Sequence, residues 1–152
     1  MRADQLLVAL DVDTGARALE LVDQLRPVAG GFKIGNRLFT LEGPRLVQTI
    51  ARTGARVFLD LKYHDIPNTV AQAVESAVQT GAWMVNVHAS GGVAMMRAAA
   101  QAGRDTAARL SRPTPVLIAV TVLTSMDEPT LRELGVTRPL ADQVLEIGRA
   151  HV

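Results

Sequence analysis

The sequence predicts an α/β fold, a (β/α)8 barrel of which about five βα units are present. Three features carry that reading. Short apolar runs alternate with longer stretches of helical periodicity, several runs are apolar on consecutive positions, and chemically capable residues recur at their C-terminal ends. A strand covered on both faces needs the second feature. A barrel enzyme, which keeps its chemistry at the C-terminal ends of its strands, needs the third.

The runs fall at 6–11, 31–35, 56–62, 84–89 and 116–123. Between them, Thr14 is placed to cap a helix that runs to Leu25 and ends near Pro27. Pro44 stands where a first helical turn opens, ahead of Leu46, Val47 and Ile50 at helical spacing. Pro67 opens a third helix, with Val70, Val74, Ala77 and Val78 as its buried stripe and Gly81 beyond its end. Gly91 and Gly92 precede an Ala-rich helix over 93–102, and a fifth helix is expected from Pro139 onward. The stretch 104–115 reads as the most linker-like part of the chain. Strand followed by helix, repeated, makes right-handed βαβ units and a parallel sheet. A doubly wound nucleotide-binding sheet is the other closure. It is disfavoured because no Gly-x-Gly-x-x-Gly follows the first run and no Walker-type loop occurs.

Composition narrows the function classes. The 152 residues suggest one domain, and a hydrophobic content of 48% is enough to bury a core. Lys and Arg number 16 against 15 Asp and Glu, and they are scattered, so no nucleic-acid partner and no acidic membrane surface is expected. The absence of cysteine excludes disulfides, thiolate catalysis and thiolate metal sites. No run approaches the ~20 apolar residues of a membrane span, and no signal-peptide pattern is present. A soluble protein of the cytoplasm is expected.

The chemistry concentrates in Asp60-Leu61-Lys62-Tyr63-His64-Asp65-Ile66-Pro67-Asn68-Thr69. Alternate residues of a strand share a face, so Asp60 and Lys62 point together into the barrel mouth, with Asp65 in the loop that follows. The plain alternative is an ion pair at a strand end. The apolar run before Asp60, the extra carboxylate of Asp65 and the second strand lysine, Lys33, weigh against it, because charges at the end of a buried strand are costly unless paired and used. Asp11 ends the first run, where the plain but less favoured reading is a helix N-terminal acid. Thr69 could be an ordinary first-turn residue and Thr124 an ST-turn hydroxyl. His88 shares a face with Asn86 and reads as a hydrogen-bonded histidine inside the mouth, because no set of metal ligands assembles around it. Met95 and Met96 read as core.

The stretch 60–69 resembles the signature of orotidine 5′-monophosphate decarboxylases. So do Ala9-Leu10-Asp11, Phe32-Lys33-Ile34-Gly35, Leu41-Glu42-Gly43-Pro44, Val85-Asn86-Val87-His88-Ala89 and Val120-Thr121-Val122-Leu123-Thr124-Ser125, in family order over about residues 6–125. The resemblance implies a TIM barrel and a cofactor-free conversion of orotidylate to uridylate, the last step of de novo UMP synthesis. It implies no metal. It matches Lys33, Asp60, Lys62 and Asp65 to the family's alternating charged array, with Lys62 as the proton donor to ring carbon C6. It further implies substrate contacts from Asp11, Lys33, Asp60, Ile66, Thr69 and Thr124. A homodimer is implied as well, in which Asp65 and Thr69 reach the partner's site. The nearest rival is a related sugar-phosphate decarboxylase or synthase with an Asp-x-Lys-x-x-Asp element, typically magnesium-dependent. Outside enzymes, the reading is an inactive fragment, for want of the family's phosphate-binding loop, that only binds a partner chain or a nucleotide.

The chain departs from the family in one respect. The Pro-Gly-Ile-Arg-like loop and late Gly-Arg that grip the substrate phosphate are not present, and Gly148-Arg149 lacks the preceding apolar strand. A partial barrel domain is expected over 1–145, with a non-native tail over 146–152, whose string equals an in-frame translation of a common sequencing adapter. Such a partial barrel leaves two raw sheet edges and is expected to aggregate or bind hydrophobic dye when expressed alone.

Overall fold

The computed structural model describes residues 5–149. Its elements in chain order are β1 (Leu7–Ala9), α1 (Gly15–Leu25), β2 (Gly31–Gly35), α2 (Asn36–Glu42), α3 (Pro44–Arg52), β3 (Val57–Tyr63), α4 (Pro67–Gln79), β4 (Met84–His88), α5 (Gly92–Arg109), β5 (Val116–Val120), α6 (Glu128–Glu133) and α7 (Leu140–Gly148). A 3₁₀ turn at Ala89–Gly91 leads into α5. The five strands form one parallel sheet in sequence order, β1-β2-β3-β4-β5. Parallel neighbours in chain order, with a helix in each crossover, are the repeat from which a (β/α)8 barrel wall is built.

The strand sequences explain why no polar alternation was visible. Val85, Asn86 and Val87 are consecutive and all buried, as are Gly31 and Phe32 in β2, so these inner strands are covered on both faces. Helix ends follow local chemistry. Thr14 Oγ1 accepts the Arg17 N–H at 3.2 Å. Pro44 and Pro67 occupy first-turn positions, where an N–H would have no partner within the helix. The stripe Val70, Val74, Ala77 and Val78 is buried as its spacing requires. It packs in one continuous core with Phe32, Ile34, Leu59 and Val85 from the strands and with Met95 and Met96 from α5. At ~25 cal/mol per Å² of apolar surface removed from water, such burial dominates the favourable side of folding.

The structure corrects the sequence reading in four places. The stretch read as a linker is helical through Arg109, because Thr106 and Ala107 continue the buried face of α5; only 110–115 remain a loop. Helix α2 was missed because it follows β2 without a connecting loop and has no capping side chain, only Gly35 at its start. Helix α6 was also missed, although Asp127 Oδ1 accepts the Thr130 N–H at 2.9 Å and Pro129 sits in its first turn, both legible start signals. Strand β5 stops at Val120 rather than at Leu123, so Thr124 lies in a turn, closed by the Met126 N–H donating to Leu123 O at 2.9 Å.

Two further features bear on the site. Glu42, at the end of α2, accepts the Gly15 N–H at 2.6 Å and thereby caps α1 from a distant element. Strand β5 is an edge strand in which Val116 and Ile118 are each 38% exposed. The tail expected over 146–152 begins inside α7, where Ile147 packs against the core; residues 150–152 lie outside the described residues.

Candidate active site

Register brings the charged residues together. Ala9 pairs with Lys33 and Gly35 with Asp60. Lys33 therefore stands level with a position two residues before Asp11, and two residues before the one that faces Asp60. Its long stem covers both offsets. Lys33 Nζ lies 3.4 Å from Asp11 Oδ1 and 3.7 Å from Asp60 Oδ2. Lys62 Nζ donates to Asp60 Oδ1 at 2.6 Å. The result is an alternating string, Asp11–Lys33–Asp60–Lys62, running across the C-terminal ends of three strands. It borders an open cleft of about 320 Å³, which Asn36 and Arg37 also line. Arg37 is held at its side by Asp13, 2.5 Å away.

Asp60 is the least exposed member, at 14% of its side chain. Burial alone would raise its pKa. The hydrogen bonds from Lys62 and Asn86 and the positive charges of Lys62 and Lys33 outweigh that effect, so its carboxyl lies below the usual carboxylate range. Ion pairs in such a half-dry setting fix each other's geometry. The arrangement offers a preorganised ammonium beside a pocket, with a carboxylate anchored against it.

The two ends of the Asp60–Lys62 motif do not meet by strand alternation alone. Lys62 has φ = 52°, in the left-handed region, and the pairing of β3 with β4 shifts register between Leu59 and Tyr63. The Lys62 N–H, displaced from the ladder, donates to Asn86 Oδ1 at 2.8 Å. Asn86 Nδ2 donates to Asp60 Oδ1 at 2.6 Å. Sequence reasoning placed Asn86 on the same face as His88 and gave it no part in the site. A buried carboxamide next to a strand-end charged pair is the signal that could have found it.

The remaining candidates lie apart from the string. Asp65 Oδ1 accepts the Ile66 N–H at 2.6 Å, and Asp65, Ile66 and Thr69 are all exposed, Ile66 to 65%. Thr124 is exposed in the turn after β5. His88 is half-buried and faces the ring of His64, with centroids 5.4 Å apart, where a hydrogen-bonded histidine was expected. Burial, then the neighbouring His64 and Lys62, lowers its pKa and favours the neutral ring. Met95 and Met96 are fully buried in the core, as expected. Among the described residues, no group of three or more His, Asp or Glu side chains is arranged to hold a metal ion.

The profile of the orotidine 5′-phosphate decarboxylase / HUMPS family matches residues 4–151. The orotidine 5′-phosphate decarboxylase of Moorella thermoacetica is 54% identical over 142 residues, which is 93% of this chain and 56% of that protein. That of Saccharophagus degradans is 55% identical over 140 residues, 92% of this chain and 57% of its own length. The chain thus spans a little over half the length of these curated relatives. Among solved structures, an uncharacterised conserved protein from Geobacillus kaustophilus matches with a TM-score of 0.84 at 44% identity, over 93% of this chain and 66% of that one. The orotidine 5′-phosphate decarboxylase of Lactobacillus acidophilus matches with a TM-score of 0.85 at 33% identity, over 95% of this chain and 65% of that one.

Proposed function

Because the chain belongs to the orotidine 5′-phosphate decarboxylase / HUMPS family, whose members have the TIM-barrel fold to which this five-stranded parallel sheet conforms, we propose that it converts orotidine 5′-monophosphate to uridine 5′-monophosphate, the last step of UMP synthesis, without a cofactor. The observation that carries this reading is the Lys62 ammonium, fixed 2.6 Å from Asp60 at the rim of the cleft.

The bond between ring carbon C6 and the carboxylate breaks, carbon dioxide leaves, and the electron pair stays on C6. No adjacent carbonyl can take up that charge, so stabilisation must come from a cation already in place. Lys62 Nζ provides it, then gives its proton to C6 and recovers one from solvent. Asp60 holds the ammonium in place and faces the departing carboxylate, whose loss relieves the repulsion between the two. Lys33 and Asp11 complete the string and bind ribose hydroxyls, while Thr124 binds the pyrimidine.

Asp65, Ile66 and Thr69 act on the neighbouring site of a homodimer. Their exposure in one chain, with a large apolar side chain among them, supports that role, since an exposed isoleucine between two polar residues is a natural interface anchor. Phosphate binding falls outside this string. The protein works in the cytoplasm, on a small molecule and not on nucleic acid or a membrane.

The test is decarboxylation of orotidylate by the full gene product, followed by loss of ultraviolet absorbance with chelator present. Lys62→Ala should lower kcat by about 10⁴-fold or more, combining lost proton transfer and lost charge stabilisation, while uridylate still binds. Mixed with an equally inactive Asp65→Ala variant, it should regain about a quarter of full activity, because a two-fold dimer of the two chains contains one intact site. An undiminished rate with alanine at position 62 overturns the proposal. Turnover that stops on chelation points instead to the magnesium-dependent branch of the family.

A further inference from the structure

We infer that Asn86 is a positioning residue for the Asp60–Lys62 pair, its carboxamide holding the bulged backbone of Lys62 with one end and the carboxylate of Asp60 with the other. The inference rests on the decarboxylase reading for its kinetic consequence, but not for its geometry.

Asn86 lies in the middle of β4 and is 2% exposed. A carboxamide buried there must satisfy both its acceptor and its donors. It does so on two atoms of the same short segment of β3. Its Oδ1 takes the Lys62 N–H at 2.8 Å, and its Nδ2 donates to Asp60 Oδ1 at 2.6 Å. The first bond replaces a ladder partner. The β3–β4 pairing holds at Phe58 and Leu59 and resumes only at Tyr63, so the amide of Lys62 has left the sheet. An orphaned buried N–H would be costly, and the left-handed backbone of Lys62 is strained, so such a conformation persists only where its surroundings fix it. The carboxamide of Asn86 is the group that fixes it.

The second bond sets the rotation of a carboxylate. Asp60 Oδ1 receives both Asn86 Nδ2 and Lys62 Nζ, while Oδ2 is left toward Lys33 at 3.7 Å. One oxygen is thus committed to each lysine. Without Asn86 the carboxylate is held by the two flexible lysines alone, and the ammonium loses the rigid anchor that sets its place at the cleft.

The charged groups facing Asp60 are Lys62 from its own strand and Lys33 from β2, with Asp11 beyond Lys33. A neutral donor removed from this set weakens the ionised form of Asp60. The experiment reads three quantities in the full gene product. In the wild type, the Asn86 side-chain amide protons should resist exchange with solvent; rapid exchange overturns the proposal without any substitution. In Asn86→Ala and Asn86→Leu, carbon-13 titration of the Asp60 carboxyl, without substrate, should show a higher pKa than in the wild type; the leucine variant, which keeps the buried volume without adding a charge, remains informative if alanine fails to fold. In the same variants, kcat on orotidylate should fall on the order of 10- to 100-fold, the worth of a hydrogen bond to a charged group, with KM changed by less than about threefold. An unmoved Asp60 titration, or a kcat equal to that of the wild type, overturns the inference. If the wild type does not turn over orotidylate, the functional reading falls, and exchange and titration still decide the role of Asn86.

Discussion

Replacing Lys62 by glycine and, separately, by alanine isolates the backbone strain at the centre of the site. Both variants lose the ammonium and the 2.6 Å contact with Asp60, so the cost of leaving that carboxylate short of a partner is common to both and cancels in the comparison. What differs is the backbone. Lys62 has φ = 52°, where an L side chain costs about 1–2 kcal/mol and glycine costs nothing. Glycine in turn gives up about 0.4–1 kcal/mol through the greater freedom of its unfolded chain. The balance favours glycine by roughly 1 kcal/mol, the reverse of an ordinary strand interior, where glycine loses to alanine by about 0.5–1 kcal/mol. The difference between the variants should appear as a melting temperature about 2–4 °C higher for Lys62→Gly. Thermal unfolding of the two, side by side in the full gene product, checks it. An alanine variant as stable as the glycine variant, or more so, would show that position 62 is a regular strand residue and would remove the strain argument for Asn86 as well.

Glu42→Ala should destabilise the fold by about 1 kcal/mol, because the Gly15 N–H at the start of α1 loses its cap. Gly15→Ala should cost a similar amount, since a Cβ there would come within 2.8 Å of the Glu42 carboxylate and displace it; the double variant should be no worse than either single one, as read by thermal melts. The pKa of Asp60 is lowered in the fold, so its contribution to stability is present above its ordinary value of 3.8 and is lost as pH falls through the folded value; Asp60→Asn should abolish that part of the acid dependence in melts taken across the range. The pKa of His88 is also lowered, chiefly by burial, so its contribution is present above its ordinary value of 6.5 and is lost as pH falls below it; melts of His88→Gln should lack that step.

Much of the fold was legible because its signals are local. Pro44, Pro67 and Thr14 mark helix starts through their own backbone and side-chain chemistry, and buried parallel strands announce themselves as apolar runs. Reading failed where the signal was weak or over-read, and at α6, whose legible start signals were passed over. Helix α2 begins with no loop and no capping side chain, and the polar content of 104–109 concealed Thr106 and Ala107 on the buried face of α5.

The sequence by itself determined which chemical groups the strands carry: Asp11, Asp60 and Lys62 follow or end apolar runs, Lys33 interrupts one, and period-two alternation predicts Asp60 and Lys62 on one face. Tertiary structure alone decided how they are paired. The string depends on the register of β1, β2 and β3, elements more than 20 residues apart, which lets one lysine reach two carboxylates. Alternation within a strand carries no information about the neighbouring strand. For the same reason the sequence could not disclose that Lys62 leaves the ladder, or that a carboxamide from β4 takes up its amide and anchors Asp60. Those are contacts between segments, set by how the strands pack and by the need to satisfy every polar group that packing buries.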